Sequence, residues 1–153
     1  NTNSKYDLVK QGKASFNISE NAGYNIFQLK CNTCHAEPLF TDLQFRNTGL
    51  PISYLNDFGR MRITGLRQDS LKFKTPTLRN CYISSNYMHD GRFNTLSQCI
   101  NHYRSGIQIS ATLDPLLSSP ISMSDAQALD LFRFLRTLTD SSFLQDSRYS
   151  RPQ

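Results

Sequence analysis

The pentapeptide Cys31-Asn32-Thr33-Cys34-His35 constrains this chain more than any other stretch. It reads C-x-x-C-H, the attachment signature of a c-type haem. Two thiols add across the vinyl groups of the macrocycle, and the adjacent imidazole becomes the proximal iron ligand. Positions three and four apart on a helical turn share one face, so Cys31, Cys34 and His35 can meet one side of a flat ring together. Competing readings fare worse. A zinc site needs a second ligand pair at similar spacing, whereas Cys81 and Cys99 stand isolated and far apart. A thioredoxin-type motif needs a strand–helix–strand setting, and nothing in this chain alternates strand with helix.

The remaining composition agrees with a fold built around such a group. A chain of 153 residues makes one domain. Its hydrophobic content of 38% and mean hydropathy of −0.48 give a modest apolar core, which a buried porphyrin would extend. The 10 Phe and 7 Tyr suit packing against that ring. The net charge of +5 is spread along the chain without a basic run, so nucleic-acid binding has no support. No apolar stretch is long enough for a membrane span. No secretory leader is visible, and a start at Asn1 without Met reads as a processed or excised piece. Covalent haem attachment places the chain in the periplasm or another extracytoplasmic compartment, where disulfides persist. Cys81 and Cys99 either pair there or serve as small buried core residues.

Residues 1–18 read as a polar arm or linker, 19–140 as the haem domain and 141–153 as a tail. Ser19 is a candidate N-cap for a helix over 20–31 that ends at the haem motif. Residues 36–78 are rich in turn-formers, a long irregular stretch most easily explained by wrapping a cofactor. Thr95 and Gln98 form a capping-box pattern opening a second helix that ends at Gly106. Ser124 and Gln127 repeat it before a third helix to Leu138, with an apolar stripe of Ala128, Leu131, Phe132, Leu135 and Leu138. The expected fold is all-α: a class I cytochrome c-like haem domain with three main helices and long irregular loops.

His35 leaves a sixth position on the iron. Met61, Met88, Met123, His89, His102 and Tyr103 are candidates. In the second helix Leu96, Cys99, Ile100 and Tyr103 share an apolar face, so Tyr103 is offered to a haem more readily than His102. Periodicity alone equally allows Tyr103 to be a core aromatic with its hydroxyl hydrogen-bonded. Met88 is the thioether alternative, or a gap-filling core residue. Arg60, Arg79 and Arg92 are candidate partners for the haem propionates through the guanidinium fork.

The chain resembles the C-terminal haem domain of the bacterial di-haem cytochrome c peroxidase/MauG family over roughly 22–140. Besides Cys31–His35, the resemblance rests on Leu39-Phe40-Thr41-Asp42, Asp57-Phe58-Gly59-Arg60 and Phe73-Lys74-Thr75-Pro76-Thr77-Leu78-Arg79-Asn80. Tyr87-Met88-His89-Asp90-Gly91-Arg92-Phe93, Thr95-Leu96, His102-Tyr103 and Phe134-Leu135-Arg136-Thr137-Leu138-Thr139 complete it. The resemblance implies Tyr103 as the distal ligand, with Met88 in the pocket wall and His89 toward the interface between the two haems. It implies a calcium ion held by backbone carbonyls at positions matching Ser84 and Asn86, although the family usually has Thr and Pro there.

It also implies one covalent haem c that relays electrons to a second haem in an N-terminal domain, where hydrogen peroxide is reduced. A small redox protein would be the donor. The full protein would then be a peroxidase-like oxidoreductase and this chain its electron-relay half. A stand-alone mono-haem carrier and a MauG-like protein-oxidising enzyme are the alternatives. The family's tryptophan route is closed to a chain without Trp.

Overall fold

A computed structural model of the protein describes residues 2–52 and 56–149. Asn1 of the expected arm and 150–153 of the expected tail lie outside them, as do 53–55 of the irregular stretch. The described chain is mostly helical with long loops. Two helices dominate the core: α2 (Ile18–Lys30) and α5 (Asp125–Arg136) pack across each other. They approach tightly at Gly23, where a Cβ would stand 2.0 Å from the Asp130 carbonyl oxygen. Nearby, Ser19 Oγ hydrogen-bonds the Asp130 carboxylate and so links the two helices side by side. Phe27, Phe40, Phe134 and Leu138 are wholly buried at the centre.

Each main helix starts with a reciprocal cap. Ser124/Gln127 opens α5, and Thr95/Gln98 opens α4 (Leu96–Asn101), both as the spacing predicts. α2 differs from expectation. Its N-cap is Asn17, two residues before Ser19, because Asn17 accepts from the Glu20 amide and the Glu20 carboxylate accepts from Asn17, each at 2.8 Å. Beyond Asn101 the chain continues as one turn of π-helix, His102–Gly106. Such wide turns are rare and occur often at functional sites.

The segment expected as an arm instead carries α1 (Lys5–Lys10), capped by Ser4 and Asp7. Its stabilising partners lie far along the chain. Tyr6 is 3% exposed and meets Phe40 edge-on at 4.8 Å between ring centroids. Asp7 is forked by Arg79 at 2.9 and 3.0 Å, a pair with both side chains about nine-tenths buried. The tail likewise holds a turn of helix, α6 (Ser141–Leu144), capped by Asp140.

The long irregular stretch contains α3 (Met61–Thr64) and a short antiparallel ladder, which departs from an all-α fold. In that ladder β1 (Phe45–Arg46) pairs with β2 (Phe73–Lys74), Phe45 opposite Lys74. The pairing satisfies backbone groups that a buried loop would otherwise leave without partners.

Asp140 yields a pH-dependent prediction. Burial pushes its carboxyl up, but hydrogen bonds from Ser142, the Phe143 amide and the Asn3 amide outweigh this and bring it down to about 2. A depressed carboxyl stabilises the fold above its unfolded pKa, and that contribution is lost as pH falls through the folded one. Asp140→Asn is therefore expected to cost about 1.5–3 kcal/mol at neutral pH, the range for hydrogen bonds to a charged group. In thermal melts across pH, its deficit against the parent protein should close between pH 4 and pH 2.

Candidate haem site

The site forms where α2 stops. Cys31 is the C-cap of that helix, and the chain then curls so that the Cys34 and His35 amides donate to the Cys31 carbonyl at 3.2 and 2.9 Å. Both thiols and the imidazole are thereby gathered on one turn. His35 is partly buried, with Nδ1 3.1 Å from the Phe40 carbonyl. The carbonyl can only accept, so Nδ1 carries the proton and Nε2 presents its lone pair. The Pro76 carbonyl also lies close to the ring. Burial lowers the His35 pKa against the opposing pull of the Phe40 and Pro76 carbonyls, which favours the neutral imidazole a metal needs.

The Phe40 carbonyl is aimed by an unusual backbone. Phe40 has φ 56°, in the left-handed region, although it bears a large side chain. That conformation costs about 1–2 kcal/mol. It is held by full burial of the ring against Tyr6, Phe27 and Phe134.

Burial, then the neighbouring Cys34, pushes the Cys31 thiol up to about 12, and burial also raises Cys34. A structural zinc ion needs four ligands, whereas a haem would take the two sulfurs as thioethers and the imidazole as its iron ligand. Among the described residues no group of three or more His, Cys, Asp or Glu could hold a metal ion. These side chains fit an iron porphyrin better than a bare cation.

Tyr103 lies in the π-turn, and its carbonyl is pinned by the Ile121 amide at 2.8 Å. Burial, then the neighbouring Cys99, Cys31 and Cys34, drives its pKa well above the usual phenol value. No hydrogen bond is made by its hydroxyl among the described residues. The adjacent His102 is taken: it is buried, with Nε2 2.8 Å from the Thr48 carbonyl. The structure thus brings Cys31, Cys34 and Tyr103 within electrostatic reach of one another.

The other sequence candidates are distributed differently. Met88 packs against the core with φ 67°, and Met123 also packs there. His89 is stacked on Phe73 at 3.6 Å between ring centroids. Arg60 pairs with Asp69 and covers the Phe45 ring. Arg79 forks Asp7 and donates to the Pro38 carbonyl, and Arg92 pairs with Asp90 and the Pro51 carbonyl. The cation that approaches Cys34 is one the sequence did not single out: Arg46, bonded to Asp42 and to Asp114 at 2.6 Å. Its second partner is 68 residues away, so no local pattern announces it. Ser84 and Asn86 are both exposed. Cys81 and Cys99 are free thiols, with Cys99 in the core and Cys81 packed against it.

No family model matches the chain. Among curated proteins, a methylamine utilization protein MauG from Methylorubrum extorquens is 34% identical over 120 residues, covering 76% of this chain and 33% of that protein. Cytochrome c551 peroxidase from Nitrosomonas europaea is 37% identical over 102 residues, covering 63% of this chain and 30% of its own length. The chain thus spans about a third of these curated relatives. A solved structure of a MauG-like protein associated with microbial copper homeostasis superposes with a TM-score of 0.90 at 31% identity, covering 99% of this chain and 56% of that one.

Proposed function

We propose, for a chain that belongs to the bacterial di-haem cytochrome c peroxidase/MauG family and matches the C-terminal half of its members, that it is the electron-relay half of a peroxidase-like oxidoreductase. In this reading hydrogen peroxide is reduced at a second haem in an N-terminal domain, and a small redox protein supplies the electrons. The protein works in the periplasm or another extracytoplasmic compartment. The fold is a class I cytochrome c-like domain whose three main helices are α2, α4 with its π-turn, and α5. The observation that carries the reading is His35, held on the turn of Cys31 and Cys34 with its Nδ1 tied to the Phe40 carbonyl.

When bound, the haem supplies a one-electron couple. The chain's own residues do the rest. Cys31 and Cys34 anchor the macrocycle as thioethers, and Phe40 fixes the His35 ring and its tautomer. Tyr103, within electrostatic reach of Cys31 and Cys34, would be the oxygen ligand. A bound ferric ion would stabilise the Tyr103 phenolate and so displace the phenol proton despite the upward shift that burial imposes. A tyrosinate favours the oxidised metal, so the potential is lower than with a thioether ligand. Calcium at the Ser84 and Asn86 carbonyls, and a role for His89 toward the second haem, belong to the same reading. Arg60, Arg79 and Arg92 could reach propionates only by sharing or leaving their present partners.

Tyr103→Phe tests the ligand. The ferric absorption and paramagnetic resonance spectra of the haem-loaded variant are expected to lose the parent six-coordinate signature. Met88→Leu should leave it in place. A low-spin spectrum unchanged by Tyr103→Phe would remove tyrosine from the iron.

A further inference from the structure

The π-turn that carries Tyr103 is held at both ends by one short stretch of chain. At its first residue, the buried His102 ring donates from Nε2 to the Thr48 carbonyl at 2.8 Å. Just past its last residue, the Gln108 amide donates to the Gly49 carbonyl, also at 2.8 Å. That stretch is itself anchored. Asn47 is wholly buried, its amide nitrogen donates to Ser110 Oγ and Thr112 Oγ1 at 2.9 Å, and its side-chain oxygen accepts from the Gly49 amide. The same stretch reaches the attachment turn. Arg46 Nε donates to Asp42 at 2.9 Å, and the Asp42 amide donates to the Cys34 carbonyl at 2.9 Å. Residues 42–49 thus form one frame that runs from the turn of the haem motif to the turn of Tyr103. Gly106 closes over the His102 ring, where a Cβ would stand 2.9 Å from Nδ1.

We propose that His102 is a positioning residue: through its bond to Thr48 it fixes the π-turn to this frame and so sets where the Tyr103 oxygen stands for the iron. The proposal rests on the haem assignment above. Wide i→i+5 turns are a rare continuation of an α-helix, so this one needs support from outside α4. A buried imidazole must have its polar atoms bonded to be tolerated, and here that bond is the support. It joins residues 54 apart in sequence. His102 does not ligate the metal, because its Nε2 is committed to Thr48. It acts only through the residue that follows it. A second tether, from the Ile121 amide to the Tyr103 carbonyl, holds the far side of the turn. The frame therefore carries Cys34 at one end and the Tyr103 turn at the other, and the His102 bond fixes the spacing between them.

The test compares the haem-loaded parent protein with His102→Ala, His102→Gln, Gly106→Ala and Tyr103→Phe, by ferric paramagnetic resonance and by amide hydrogen exchange over 102–108. His102→Ala is expected to broaden or split the parent resonance spectrum. It should also speed exchange in the turn by about tenfold, as the loss of one neutral hydrogen bond implies. His102→Gln keeps a side-chain N–H for Thr48 and should restore both. Gly106→Ala crowds the ring without removing it and should disturb the spectrum in the same way. A parent-like spectrum in His102→Ala, or a disturbed one that His102→Gln fails to restore, overturns the proposal. Should His102→Ala not take up haem, a parent-like spectrum in Gly106→Ala overturns it. Tyr103→Phe separates the two ways of failing. If it alters the spectrum while His102→Ala does not, the positioning role is wrong. If neither alters it, tyrosine ligation is wrong and the positioning role falls with it.

Discussion

Replacing Cys31 and Cys34 together by alanine is expected to eliminate covalent haem. The denatured parent protein should carry the mass of one haem and stain for it on a denaturing gel, and the double variant should carry neither. Single variants should retain one thioether. The reasoning is local: the amides of Cys34 and His35 close on the Cys31 carbonyl and bring both cysteines onto one turn, which Cys81 and Cys99 do not share. Cys81 and Cys99 sit in the packed interior instead. His35→Ala is the informative contrast. It should leave the thioethers in place and alter the iron spectrum. Haem that survives denaturation of the double variant would mean that attachment uses other residues.

Gly23→Ala should be the most damaging small substitution in the fold. The added methyl would stand 2.0 Å from the Asp130 carbonyl oxygen, 2.5 Å from its carbon and 2.9 Å from Phe134 Cβ. Two of these are backbone atoms of α5, so the helices themselves must separate. Alanine gains about 1 kcal/mol of helix propensity over glycine, but overpacking a rigid contact costs about 3 kcal/mol or more at the upper end of its usual range. A lower denaturant midpoint is expected, with an unchanged slope. Gly12→Ala is the control. It has φ 72° but nothing within 4 Å of the new methyl, so only the left-handed backbone is penalised, at about 1–2 kcal/mol. If Gly23→Ala proved no worse than Gly12→Ala, the helix crossing would be looser than described.

What could be read from the sequence was what is written locally. Thr95 with Gln98 and Ser124 with Gln127 announce two helix starts because both halves of each cap lie within one turn. The same rule fits Asn17 with Glu20, but Ser19 is a more conspicuous cap residue, and its hydroxyl is in fact committed to Asp130 across the helix pair. The haem motif is equally local. α1 also carries a local box, Ser4 with Asp7, but it is only six residues long and its packing depends on Arg79 and Phe40 far along the chain. Phe134, three residues after Leu131 and four before Leu138, shares their face and is wholly buried, while Phe132 at the stripe's edge is only partly so. The tether on His35 was hidden for another reason. It requires Phe40 to adopt a backbone conformation that its side chain disfavours, and only the assembled core enforces this.

The Arg79 guanidinium reaches Asp7 on one side and the Pro38 carbonyl on the other, so the first helix is riveted to the loop that follows the haem motif. A minimal domain cut just before Asn17 would remove the carboxylate that this guanidinium forks and take away the ring that Phe40 leans on. The iron's own ligand would feel the cut. Anyone trimming this protein for electrochemistry should begin no later than Ser4.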